Sequence, residues 1–238
     1  LFSGEDSFFY QAIKVTLYLT ILNVPACILI SLLLALLLNN KISGWKTLRV
    51  VYYLPTVIPQ VATSVIWMWI MSPDFGILNY VLKLAGLPAS QWLFGEKTVI
   101  PSFVIIAVWT SGNIMTVFLA GIQDVPRSLY EAMDIDGGGT LEKTFYVTLP
   151  MISPTIFFNL VMHTIATLQA VLQAFVITQG GPNNASLLYV YYLYREAFEF
   201  DNLGGSCAIA WVLFFGVATV TLVFFKTSGK WVFFGGER

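Results

Sequence analysis

Asn159, His163, Thr167, Gln169 and Gln173 fall on one side of a helix turning about 100° per residue, inside an otherwise apolar run. Amides and an imidazole aligned in this way can hydrogen-bond the hydroxyls of a polar solute. The same groups can hold helices together, at about 0.6 kcal/mol apiece in a membrane. An earlier run carries Trp109, Asn113 and Thr116 on another face. There an indole can stack on the C–H surface of a ring while an amide reads its hydroxyls, although Trp is also common in packing and near interfaces. Covalent chemistry has no comparable support. His163 is the only histidine, and no Ser-His-Asp set or carboxylate pair lies inside an apolar run. Gly137 followed by Glu142-Lys143-Thr144 nearly matches a phosphate-binding loop, but Glu142 stands where a glycine is needed and would repel phosphate. Cys27 and Cys207 offer neither a disulfide framework nor metal-ligand spacing.

The elements that must position these groups are membrane spans. Of the 238 residues, 57% are hydrophobic and 11% charged, and the mean hydropathy is +0.77, outside the range of soluble domains. A hydrocarbon core about 30 Å thick takes roughly 20 apolar helical residues to cross. Five runs qualify: about 15–38, 48–71, 99–121, 152–178 and 206–225. Pro55 and Pro59 remove backbone donors and should kink the second. The prediction is all-α, a polytopic transmembrane helical bundle forming a single domain over 1–238 in a lipid bilayer. Because the chain begins at Leu1 without an apolar leader, one further helix is expected upstream, six spans in all.

Basic residues set the orientation, since Lys and Arg near span ends are retained on the cytoplasmic side. Lys41, Lys46, Arg49, Arg127, Lys143, Lys226, Lys230 and Arg238 then lie inside, against Lys14, Lys83, Lys97 and Arg195 outside. This puts the connector 122–151 in the cytoplasm. Trp67, Trp69, Trp92 and Trp231 fall near span ends as expected interfacial anchors, and 189–194 reads as an interfacial aromatic run on a short external helix. A net charge of −1 leaves no long basic surface for nucleic acid.

The connector itself reads as two short helices with a tight bend. Asp124 or Ser128 can cap the first, Pro126 suits an early helical position, and Ser128 with Glu131 fits a capping box. Asp136-Gly137-Gly138-Gly139 breaks the helix, because glycine reaches left-handed torsions without steric cost. Thr140 restarts it, with Glu142 near the positive end of the dipole. Leu129, Ala132 and Met133 share an apolar face that must meet something.

These residues resemble the "EAA" loop of the inner-membrane permease subunits of binding-protein-dependent ABC importers. The family pattern becomes Glu131-Ala132-Met133, Asp136-Gly137-Gly138, Phe145 and Leu149-Pro150, with Met133 and Gly138 in place of alanines and the spacing intact. Further segments, Pro73 to Asn79, Ala120 to Pro126, Thr178 to Asn183 and Tyr194 to Phe198, resemble the carbohydrate branch of maltose and glycerol-phosphate type permeases. The resemblance implies a non-catalytic subunit of a bacterial or archaeal cytoplasmic membrane importer for a sugar or sugar derivative. Its expected partners are a second homologous permease, a dimer of cytoplasmic ATP-binding subunits and an external sugar-binding protein. ATP and Mg would be bound by the ATPase, and no cofactor by this chain. Leu129, Tyr130, Glu131, Ala132, Met133, Asp136, Gly137, Leu149 and Pro150 would couple to the ATPase, with Glu131 as anchor and Gly137 at the bend.

Two other readings stay open on the residues alone. An ion-coupled secondary transporter needs ionisable groups at mid-membrane, where His163 is the sole interior candidate. An ABC permease for a non-carbohydrate solute would keep the same connector.

Overall fold

The 33-residue helix α1 (Ser7–Asn39) is the axis of the molecule. Of its most apolar stretch 39% is buried, against 6% for the last helix, α12 (Leu203–Ser228), so α1 is central and α12 peripheral. The computed structural model describes residues 7–39 and 44–233, and among these every regular element is helical. Between the two long helices run α2 (Trp45–Val57), α3 (Gln60–Ile70), α4 (Ile77–Leu84), α5 (Val99–Trp109), α6 (Gly112–Gln123) and α7 (Arg127–Ile135). There follow α8 (Thr140–Glu142), a π-helical turn (Lys143–Thr148), α9 (Leu149–Met151), α10 (Ser153–Leu168), a second π turn (Ala174–Thr178) and α11 (Tyr189–Phe198).

The apolar runs are present but bent. The α2–α3 pair turns by 103°, α5–α6 by 48°, and 140–151 against α10 by 64°. The first bend follows from Pro59, whose ring pushes the preceding residue out of the helical region; Ile58 is extended at φ −72° and ψ 131°. Counting each bent pair once, up to five spans are long and apolar enough to cross a membrane. The fourth departs from expectation. Its continuous helix stops at Leu168 rather than 178, with Gln169 as its C-terminal cap and a separate π turn beyond. Lys41 and Arg238 lie outside the described residues.

Burial divides into two main apolar clusters stacked along α1. One gathers Phe9, Val15, Leu19, Phe103 and Ile106 with Leu187, Leu188 and Ile209. The other gathers Val24, Cys27, Ile28, Met115, Phe118 and Leu119 with Val147 and Ile152. The boundary on α1 lies between Leu19 and Val24, and on α5–α6 between Ile106 and Ile114. Asn23, Thr110 and Ser111 occupy that boundary.

Of the tryptophans expected as interfacial anchors, Trp67 is internal and Trp92 half-buried. Trp67 is buried with its ring edge-to-face on Trp109, centroids 5.6 Å apart, and Trp92 donates its indole N–H to Asn79 Oδ1 at 2.8 Å. Trp231 packs on Phe157. Trp69, 70% exposed, and Trp231, 44% exposed, both keep an outward position.

Gly112 lets α6 lie against α2: a Cβ there would collide with the Tyr52 carbonyl oxygen, whereas one at Gly216 of α12 would meet nothing within 4 Å. Gly112→Ala is therefore expected to cost about 1–3 kcal/mol through overpacking, and Gly216→Ala to be neutral or stabilising. Thermal unfolding of the two variants in the same detergent checks the contrast.

Candidate functional site

Three interrupted helices meet at the boundary between the apolar clusters and leave a polar cavity of about 390 Å³. The first turn of α3 supplies Gln60, Thr63 and Ser64; the α5–α6 break supplies Thr110, Ser111 and Asn113; the end of α10 and the segment after it supply His163, Thr167, Gln169 and Gln173. Broken backbone is tolerated at membrane depth where it lines a cavity or is buried in protein. The lining side chains include no carboxylate, lysine or arginine.

Buried hydrogen bonds fix this layer. Asn23 of α1 donates from Nδ2 to Thr167 Oγ1 at 3.1 Å and lies 3.4 Å from His163 Nε2. The Thr167 hydroxyl in turn donates to the His163 carbonyl at 2.8 Å. About two helical turns further along α1, Ser31 donates into the α5–α6 break, 3.0 Å from Ser111 Oγ and 3.3 Å from its carbonyl oxygen. The Thr63 hydroxyl is buried at the cavity wall without a protein partner, which leaves its hydrogen-bonding capacity for whatever fills the space.

Most of the residues expected along the solute path converge here. Asn113, His163, Thr167, Gln169 and Gln173 all line the cavity. Asn159 does not; it is buried, donates to the Thr155 carbonyl of its own helix at 3.0 Å, and borders a neighbouring pocket with Asn113 and His163. Trp109 is not a lining residue either, because its ring is paired with Trp67. Sequence reasoning missed Asn23, Gln60, Thr63, Ser64 and Thr110. Asn23 carried a signal, as an amide in the middle of a leucine-rich run, and Gln60 a weaker one directly after Pro59.

The connector forms the other candidate surface. No residue of α7 is buried. Its start differs from the expected capping box: Pro126 is the N-cap, Ser128 sits inside the helix, and Asp124 ends α6. Proline cannot donate, so the chain turns in from extended backbone instead of being capped by a hydroxyl. Gly137 takes the left-handed conformation at φ 78°. Across that bend Lys143 forms an ion pair with Asp134, and Glu142 Oε2 accepts the Gly139 N–H at 2.6 Å. Gly139 is thus the cap, with Thr140 the first helical residue.

The apolar face of α7 is divided. Tyr130 and Met133 pack on the lower apolar cluster together with Leu149, and the Tyr130 hydroxyl is 2.9 Å from Thr148 Oγ1. Leu129 and Pro150 border a small pocket with Tyr146, while Glu131, Ala132 and Asp136 are exposed. Ile135, Leu141, Phe145 and Tyr146 are 87%, 74%, 62% and 74% exposed, an unusual apolar concentration on an otherwise polar connector.

Residues 7–227 match the family model described as the binding-protein-dependent transport system inner membrane component. The chain belongs to that family. It is 35% identical over its whole length to the probable ABC transporter permease protein YesP of Bacillus subtilis, spanning 78% of that relative. It is 30% identical to the sulfoquinovosyl glycerol transport system permease protein SmoG of Agrobacterium fabrum, covering 93% of this chain and 72% of that one. Among solved structures, a permease of a bacterial alginate ABC transporter, in complex with an alginate pentasaccharide-bound periplasmic protein, superposes with a TM-score of 0.77 at 27% identity, covering 92% of this chain and 76% of that one.

If the Asn23 amide holds the polar layer together, a double-mutant cycle on Asn23→Ala and Thr167→Ala should return a coupling energy of about 0.6 kcal/mol, below about 1.7. Unfolding of the permease in detergent measures it; additive effects would show that the two side chains act separately.

Proposed function

We propose that this permease forms half of the translocation path of an ATP-driven importer for a sugar or sugar derivative, in a bacterial or archaeal cytoplasmic membrane. The observation that carries the reading is the uncharged polar cavity at the meeting of three helix interruptions, between two apolar clusters. Amides and hydroxyls donate and accept in the pattern that a hydroxyl-rich solute needs, and no fixed charge in the lining competes for it. Asn113, Gln169 and Gln173 would make the direct contacts, with Gln60 and Thr63 opposite. His163 would form part of the wall itself, and Asn159 and Trp109 would support the path from behind it. Relatives whose names state a cargo point the same way: SmoG carries sulfoquinovosyl glycerol, and the permease protein MalF of Thermococcus litoralis, 30% identical, belongs to a trehalose/maltose transport system.

Energy would enter through the connector. The exposed face of α7 with Leu129, Glu131, Ala132 and Asp136, together with Phe145 and Tyr146, would seat in a cleft of a cytoplasmic ATPase, which binds the ATP and Mg. Tyr130, Met133 and Leu149 would carry the displacement inward, because they touch the lower apolar cluster. Pro150 would fix the re-entry of the chain. A second homologous permease completes the path, a dimer of ATP-binding subunits drives it, and an external sugar-binding protein delivers the solute. A ligand shifts such an equilibrium only by its differential affinity for the two states, so the stiffness of the Gly137 bend matters.

Gly137→Val is expected to leave membrane insertion normal and to abolish uptake, since a β-branched residue resists a positive φ. Uptake at the wild-type rate would remove the coupling role. Asn113→Leu combined with Gln173→Leu should lower sugar-stimulated ATPase activity of the reconstituted complex, at sugar concentrations below saturation, by about thirtyfold if two hydrogen bonds to solute of about 1 kcal/mol each are lost. Stimulation at wild-type level by every sugar tried would assign those side chains to packing.

A further inference from the structure

We propose that Phe175, Tyr194 and Phe198 form an external stacking track for the rings of an oligosaccharide, a subsite outside the cavity that leads into it. The proposal rests on the sugar-importer reading above. It starts from α11, which buries Tyr189, Tyr192 and Ala197 on one side and carries Tyr191, Tyr194 and Phe198 on the other. Tyr191 is itself buried, stacked on Tyr194 with centroids 6.4 Å apart, and Tyr194 and Phe198 lie one helical turn apart. Phe175, in the π turn after α10, extends the row. Its ring centroid is 5.1 Å from that of Tyr194, which is 5.1 Å from that of Phe198. Phe175 is 42% exposed and Phe198 69%.

The surroundings say what would cover these rings. Arg195 and Glu199 form an ion pair at 2.9 Å on the same helix, and Asn202 donates to Glu196 at 3.0 Å just beyond it. Charged pairs of this kind belong in water or headgroups and not in hydrocarbon. The rings beside them therefore stand at the aqueous edge, where an acyl chain would have to leave the bilayer to reach them. Phe200 is already occupied by the Arg195 guanidinium, 5.4 Å from its centroid.

The shape of the row narrows the ligand further. Neighbouring ring planes turn by 83° and then 38°, so a single flat ligand could not lie on all three. Successive sugar rings twist about their glycosidic bonds, and each presents a C–H face with hydroxyls around its rim. The track also ends in the right place, since Phe175 lies two residues past Gln173 of the cavity wall. A solute leaving Phe175 inward would meet amides next.

Saturation-transfer NMR on the complete transporter in nanodiscs tests this, with irradiation of aromatic protons and arabinopentaose, maltopentaose, an alginate pentasaccharide and their monosaccharides as probes. At least one pentasaccharide should receive saturation on its ring C–H protons, more strongly than its monosaccharide. Phe198→Leu and Phe175→Leu should weaken its binding by about three- to tenfold, and Phe198→Trp should retain it. Transfer to no pentasaccharide, equal transfer in the leucine variants, or transfer only to lipid acyl protons would overturn the track. So would rings that are covered only by the docked binding protein, irrespective of sugar. Sugar-stimulated ATPase activity, measured in parallel, separates the two levels: a wild-type complex that no sugar stimulates overturns the importer reading, whereas stimulation with unchanged leucine variants overturns the track alone.

Discussion

The arrangement depends on keeping one polar layer intact between two apolar clusters. A buried amide or hydroxyl without a partner costs about 1–3 kcal/mol, and a membrane interior offers no bulk water to relieve it. Asn23, Thr167, His163, Ser31 and Ser111 meet this constraint by bonding to one another across α1, α6 and α10. Their mutual satisfaction allows α5–α6 to break and α10 to stop inside the bundle. The breaks in turn open the cavity.

The same layer separates two mechanical units. Above it, α1, α5, α11 and the π turn share one apolar cluster with Trp67 and Met71 of α3 and its end. Below it, α1, α6 and the re-entering 147–152 segment share the other, to which Tyr130 and Met133 add their rings and thioether. A displacement of α7 would reach the lower cluster first, because close-packed side chains pass strain on and do not absorb it. The cavity lies where the two clusters abut, so a relative shift would change its shape before disturbing either core.

In the loop after α3, Asn79 plays a comparable organising part. Its side chain donates to the Pro73 and Ser90 carbonyls and accepts from the Ser90 N–H and the Trp92 indole, all between 2.8 and 3.0 Å. One buried amide thus ties both ends of the 73–92 loop. Gly76 is required beside it, since a Cβ there would run into the carbonyl oxygens of Ser72 and Ile70. The loop is thereby held as a rigid attachment between α3 and α5, two of the elements that border the cavity.

Composition and periodicity alone determined that this chain is helical and spans a membrane, because no water is available to solvate open backbone and the apolar runs are long enough to cross. Local chemistry also wrote the bends at Pro59 and Gly137, where a proline ring and a positive φ act within a few residues. The side of α10 that bears His163, Thr167, Gln169 and Gln173 was legible for the same reason, as helical spacing is a local property. What only the tertiary structure decided is which polar groups face one another across helices. Asn23 lies 144 residues from Thr167 and Ser31 lies 80 from Ser111, and no periodicity connects such pairs. Trp109 and Asn159 looked like path residues by type and spacing. Their partners, Trp67 and the Thr155 carbonyl, were set by packing and by the choice of a rotamer, which depend on neighbours that the chain brings together only on folding.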